Sequence, residues 1–130
     1  RARVEPHTRS VLLSSPLPAP VYARAPVVVL TGPRTASAAE VFAAALKDSR
    51  RALVVGETTC GCVLGIRRRH RLPDGGILDV SETDYHTASG TRLERIGLAP
   101  DHTVPLTRTD LRAGRDAVML RAFELLKRNR

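Results

Sequence analysis

The sequence has 130 residues, of which 42% are hydrophobic, so it has the length and composition of one ordinary globular domain. Its formal net charge of +8 would suit an anionic partner, but nearly all of the charge is arginine spread along the whole chain. The densest basic run, 67–71, has no interleaved aromatic residues to stack bases, which argues against a nucleic-acid partner. No apolar stretch reaches the roughly 20 residues of a transmembrane helix.

The first half of the chain predicts an irregular arm followed by a βαβ unit. Four prolines make residues 1–24 an expected irregular N-terminal arm. The run Val27–Leu30 predicts a strand buried on both faces, and Ala52–Val55 predicts a second one. Between them the apolar spacing becomes helical, so we expect a helix that begins close to Ser37 and connects two parallel strands. Its predicted buried face comprises Ala38, Val41, Phe42, Ala45 and Leu46.

The second half predicts a hairpin and a terminal helix. The stretches Val63–Leu72 and Ile77–Tyr85 flank the turn Pro73–Gly76, as in a β-hairpin. Pro100–Asp101 indicates a loop. A helix is expected from Asp116, which is well placed to cap it. The predicted fold class is therefore α/β.

The cysteines and histidines give little sign of a metal site. Cys60 and Cys62 are separated by one residue, a spacing that we take as too tight for an unstrained disulfide between them. A zinc site would need further ligands at close spacing, and the four histidines are scattered along the chain. The sequence predicts neither a metal nor a cofactor.

Ser37 is the candidate nucleophile because of its place between a buried strand and a helix. Ligands of open α/β sheets bind at the carboxyl ends of strands. A serine at the following helix N-terminus lies beside unpaired N–H groups that can stabilise an oxyanion. The alternative is that Ser37 is only an N-cap, which is the commoner role of an isolated serine in this position.

Five motifs in one order resemble the C-terminal-processing (tail-specific) serine peptidase family. Each has a counterpart in that family, and the counterparts are approximately S-A-S-A-S-E, L-Q-D-x-x-R-A-x-V-V-G-E, L-P-D-G-G, Y-x-T-P-S-G and G-I-x-P-D. The corresponding segments here are Thr35–Glu40, Leu46–Glu57, Leu72–Gly76, Tyr85–Gly90 and Gly97–Asp101.

The resemblance implies a crotonase-like (Clp protease-like) core fragment, with residues 25–130 as the C-terminal part of the peptidase core. It implies serine-type endopeptidase activity on a protein or peptide substrate, with Ser37 as nucleophile and the Ala38 backbone N–H as an oxyanion donor. We expect the upstream core, and in such families often a PDZ domain, to lie in a longer parent chain. The resemblance favours the cell envelope or secretion, where the family is commonly found; the alternative is the cytoplasm, since tricorn-type relatives lie inside the cell.

The main departure from the family is Cys62, which stands where the family has its lysine base. Three interpretations stay open: an inactive protease-like domain, a lysine-free branch resembling tricorn-type peptidases, or a small core residue distant from Ser37. The second makes Glu94 a candidate assisting carboxylate, although a solvated turn residue is the simpler interpretation. Asp48 either supports the catalytic geometry, as its family counterpart does, or closes a helix. The alternative function is a catalytically silent binding module of the same fold.

Overall fold

The computed structural model describes residues 25–128, so the arm expected at 1–24 lies outside the described residues. The α/β class, the βαβ unit, the hairpin and the C-terminal helix are confirmed. No helix within the described range is long and apolar enough to cross a membrane. The elements in chain order are β1 (Val28–Thr31), α1 (Ala38–Asp48), β2 (Leu53–Gly56), β3 (Gly65–Arg71), β4 (Ile77–Thr83), β5 (His102–Thr103), α2 (Arg108–Arg112) and α3 (Ala117–Arg128).

Three parallel strands form the sheet that positions the site, in the order β1-β2-β5. β1 and β2 are aligned from Val28 opposite Leu53 to Thr31 opposite Gly56, so both strands end at the same edge. β5 pairs with β2 on the side away from β1, and its last residue, Thr103, lies opposite Gly56 at the same edge. The loop expected at Pro100–Asp101 is present, but β5 and α2 were not predicted, because segments this short show no measurable period.

Helix α1 buries a different face from the predicted one. Its buried residues are Glu40, Ala43 and Ala44, whereas Ala38 and Ala45 are exposed and Phe42 is 63% exposed. The prediction was wrong because it placed the charged Glu40 on the solvent side. The carboxylate of Glu40 is fully hydrogen-bonded, which permits its burial.

The core joins helix α1 and strand β2 to the loops that follow β2 and β4. Helix α3 contacts both β1 and β2, and Asp116 caps it by accepting a 2.8 Å hydrogen bond from the Met119 N–H, as predicted. The hairpin β3–β4 forms a separate two-stranded sheet. The buried cluster consists of small and aliphatic side chains, namely Ala43, Ala44, Val54, Val63, Leu93 and Leu98.

We expect Gly56→Ala to lower the free energy of unfolding by roughly 2–4 kcal/mol. Gly56 has φ +129, and a Cβ there would lie 2.0 Å from the Thr31 carbonyl oxygen on the neighbouring strand. The measurement is urea unfolding. The matched control is Gly114→Ala, which also has positive φ, +61, but no neighbour within 4 Å of its Cβ. Equal losses in both variants would show that the close approach of β1 and β2 contributes nothing.

Candidate active site

Ser37 lies at the N-cap of α1, directly after β1 and the loop 32–36, where the sequence predicts it. Its backbone has φ 56 and ψ −126. An ordinary N-cap residue is extended, and positive φ in a residue other than glycine costs on the order of 1–3 kcal/mol. An N-cap role alone therefore does not explain this conformation.

The backbone N–H of Ala38 is free at the first turn of α1. Within residues 25–128 it has no hydrogen-bond acceptor, and the residue is exposed. Its neighbours Ala36 and Ala39 are small. The positive end of the helix thus presents an open N–H beside Ser37, where an oxyanion would gain stabilisation.

A buried carboxylate, that of Glu40, is the common acceptor that organises the site. Its side chain is 0% exposed. Oε2 accepts from the Ser37 N–H at 3.1 Å and from the Cys62 N–H at 2.9 Å. Oε1 accepts from the Gly61 N–H at 2.7 Å and from Thr59 Oγ1. Four donors on two oxygens fix the carboxylate in one orientation.

The charge state of Glu40 follows from these contacts. Burial raises the pKa of the carboxyl, but the hydrogen bonds from Thr59, Cys62, Gly61 and Ser37 outweigh burial, so the pKa lies below its usual value of 4.5. Glu40 is ionised at neutral pH and its lone pairs are occupied. It is therefore a poor base and a good positioning residue.

The segment 59–62, which we call the supporting loop, lies against the turn that carries Ser37. The Ser37 N–H donates to the Cys62 carbonyl oxygen at 3.0 Å, and the Cys60 N–H donates to the Thr35 carbonyl oxygen at 2.9 Å. On its other side, Thr59 Oγ1 accepts from the Leu98 N–H at 2.7 Å. The supporting loop thus connects the turn at Ser37 with the core.

Cys60 and Cys62 form a disulfide, contrary to the sequence prediction. The residue between them, Gly61, has φ +70, which turns the chain and brings the two Cα atoms to 5.2 Å, within the usual range. Interpreting Cys62 as a core residue distant from Ser37 is also wrong. Cys62 is exposed, and its carbonyl oxygen accepts from Ser37.

The other two candidates make structural contacts. The Glu94 carboxylate is half-buried and accepts from the N–H groups of Val63 and Leu64 at 3.0 and 3.2 Å, so Glu94 is not merely a solvated turn residue. Asp48 is the last residue of α1, roughly 16 Å along the helix from Ser37 at 1.5 Å per residue. Its carboxylate accepts from the Ser89 N–H at 3.0 Å, which lowers its pKa. The structure does not bring Asp48 to Ser37.

An open cleft of about 920 Å³ borders the loop that leads to Ser37. Leu30, Leu106 and Leu111 supply apolar side chains to the lining, and Arg34 supplies a charged one. No cluster of three or more potential metal ligands occurs within the described part of the chain.

Glu40 and Thr59 are the site residues that sequence reasoning missed. A charged residue in a helix is normally assigned to the solvent side, and a lone threonine carries no periodic signal. The available signal was the position of Glu40, three residues after Ser37, which is the spacing at which an N3 glutamate reaches back to the N-cap N–H.

Comparisons with known proteins identify the family of the chain. The model of Peptidase family S41 matches residues 4–104. Carboxyl-terminal-processing peptidase 2 of Arabidopsis thaliana, a chloroplast protein, is 44% identical over 80 residues, which are 62% of this chain and 15% of that protein. Putative tricorn protease homolog 2 of Streptomyces coelicolor is 37% identical over 111 residues, 82% of this chain and 10% of that protein.

Solved structures show the same fold. The photosystem II D1 C-terminal processing protease has a TM-score of 0.59 at 41% identity and matches 64% of this chain and 21% of its own. The tricorn protease has a TM-score of 0.73 at 23% identity over 85% of this chain and 11% of its own, a likeness of fold.

The fold is that of the Clp protease-like core found in the peptidases it matches. The chain belongs to Peptidase family S41. It spans between about a tenth and a third of the length of the relatives and structures it matches.

We expect Glu40→Gln to lower the free energy of unfolding by roughly 2–5 kcal/mol, because an amide offers one acceptor oxygen and turns its NH₂ group toward two of the four donors. Chemical unfolding at neutral pH measures the loss. The control is Glu124→Gln on α3, whose carboxylate is 63% exposed and pairs with Arg121 at 2.9 Å. That change should fall within about 0.5 kcal/mol of the wild type.

The stability difference between the wild type and Glu40→Gln should depend on pH. Since the folded-state pKa of Glu40 is depressed, its contribution is fully present above the ordinary value of 4.5 and is lost as pH falls through the folded-state value. Unfolding curves of both proteins between neutral and strongly acidic pH test this. A difference that stays constant over that range would contradict the buried, ionised carboxylate.

Proposed function

We propose that Ser37 is the nucleophile of a serine-type endopeptidase. The observation that carries the proposal is the positive-φ backbone of Ser37 in the turn that follows the carboxyl end of β1. Strained backbone conformations persist only where surrounding contacts over-determine them, and they concentrate at functional sites. Here the contacts are those of Cys62 and Glu40 with the Ser37 N–H.

The chemistry would proceed by acyl transfer. Ser37 Oγ attacks the scissile carbonyl carbon, its proton passes to a base, and the tetrahedral intermediate collapses to an acyl-enzyme as the amine leaves with a proton. Water then hydrolyses the acyl-enzyme. The Ala38 N–H at the helix N-terminus is the proposed donor to the oxyanion, and a donor of this kind is worth on the order of 100 to 1,000-fold in turnover.

The base is proposed to come from outside residues 25–128. At the position of the family's lysine this chain has Cys62, which is disulfide-bonded to Cys60. A disulfide sulfur, unlike the amine of lysine, does not accept the serine proton. Glu40 is occupied by four donors and has a depressed pKa. Glu94 already accepts two backbone N–H groups, and we propose a positioning role for it, as for Asp48.

The proposed substrate is a protein or peptide, part of which would enter the cleft beside the loop 32–36. The upstream part of the parent chain is proposed to complete the oxyanion hole and the substrate-binding surface. The second candidate function is a catalytically silent binding module, which is favoured by the replacement of the lysine by disulfide-bonded Cys62.

In the whole protein, a fluorophosphonate probe should label Ser37, and both Ser37→Ala and Ser37→Gly should abolish the labelling. Peptide mapping by mass spectrometry identifies the modified serine. Ser37→Gly should in addition raise the free energy of unfolding by about 1 kcal/mol, because glycine accepts positive φ without strain. Ser37→Ala should leave stability nearly unchanged.

The matched control is Ser49→Ala at the other end of α1, where the hydroxyl donates to the carbonyl oxygens of Ala45 and Leu46. Its labelling should equal that of the wild type. A parent protein that binds peptide but is not labelled at Ser37 would favour the silent module. Labelling that survives Ser37→Ala would place the nucleophile elsewhere.

A further inference from the structure

The Cys60–Cys62 disulfide lies within the supporting loop, at the point where that loop contacts the turn at Ser37. Between the two cysteines, the Gly61 N–H donates to Glu40 Oε1. On either side of Gly61, the Cys60 N–H donates to the Thr35 carbonyl oxygen and the Cys62 carbonyl oxygen accepts from the Ser37 N–H. The bridge therefore spans the backbone groups that hold Ser37.

The placement of the bridge makes it accessible and weakly stabilising. Both cysteines are exposed, whereas the flanking Thr59 and the intervening Gly61 are buried. A disulfide stabilises mainly by restricting the unfolded chain, and a bridge between residues two apart closes the shortest of loops. Exposed bridges of this kind are the labile or regulatory ones rather than the structural ones.

We propose that the Cys60–Cys62 bridge is a reversible redox site that controls the order of the supporting loop, with a dithiol as its reductant. A thiolate of the dithiol attacks one bridge sulfur, forms a mixed disulfide and releases the other cysteine as a thiolate. The second thiol of the reductant then displaces the first cysteine. Two electrons and two protons pass to the bridge, which leaves two protein thiols and the oxidised, cyclic reductant.

Reduction removes the covalent restraint on the turn at Gly61 but leaves the hydrogen bonds to Glu40 in place. The core does not depend on the bridge, since its buried cluster contains neither cysteine. The supporting loop therefore loosens without global unfolding. The strained backbone conformation of Ser37 depends on that loop, so Ser37 then leaves this conformation for a larger fraction of the time. The effect on Ser37 reactivity rests on the proposed function, whereas the effect on loop order does not.

The test uses the whole protein with and without dithiothreitol, and combines peptide-level alkylation with hydrogen exchange. Without reductant, both cysteines should resist alkylation; with it, both should react while the protein stays folded by circular dichroism. Hydrogen exchange should then rise several-fold in peptides covering 32–40 and 57–64, and not in α3. Oxidised glutathione, added to the reduced protein before alkylation, should restore both the resistance of the cysteines to alkylation and the slow hydrogen exchange.

The double variant Cys60→Ser, Cys62→Ser is the control, because it should show the fast exchange permanently and should not respond to reductant. Alkylation of both cysteines without reductant, reduction only in denaturant, or unchanged exchange after reduction would each overturn the proposal. Fluorophosphonate labelling of Ser37 should fall several-fold on reduction and recover on oxidation. If exchange responds while Ser37 is unlabelled in both states, the redox site stands and the hydrolase function fails.

Discussion

The burial of one carboxylate determines the geometry of this site. An ionised Glu40 in the interior is tolerated only because each of its oxygens accepts two hydrogen bonds. Those donors come from two segments that are distant in sequence, the turn at Ser37 and the supporting loop. The electrostatic requirement of a single buried charge thus holds both segments together, and Glu40 and the Cys62 carbonyl oxygen jointly support the positive-φ conformation of Ser37.

The supporting loop is in turn held by the core on its far side. The Arg95 N–H donates to the Gly61 carbonyl oxygen at 2.8 Å, and a Cβ at Gly61 would lie 2.8 Å from the Gly97 nitrogen. Leu93 and Leu98, which flank this contact, belong to the buried cluster. Packing around residues 93–98 is therefore transmitted through the supporting loop to Ser37, so the order of the site depends on residues with no chemical role.

The sequence predicted those elements whose side chains carry a periodic signal. The strands β1 and β2, the hairpin turn and the start of α3 at Asp116 are confirmed, because hydrophobic runs, turn residues and caps act locally. The predicted burial of β1 on both faces is wrong, since Leu30 is 38% exposed and only Thr31 of that strand is buried. The prediction of the buried face of α1 was wrong because the burial of Glu40 depends on hydrogen-bond donors about 20 residues further along the chain. The bridge was missed because it depends on the backbone of Gly61, which spacing alone does not reveal.

Position 62 shows why a change of residue there does not imply a change of fold. Its main-chain groups hold the site together, since the N–H donates to Glu40 and the carbonyl oxygen accepts from Ser37. Any residue type except proline can supply those two groups. Only the side chain distinguishes a lysine, which could serve as a base, from Cys62, which is tied to Cys60. A lysine-free chain can therefore keep Ser37 in its strained geometry, and the proposed removal of the Ser37 proton then falls to another group.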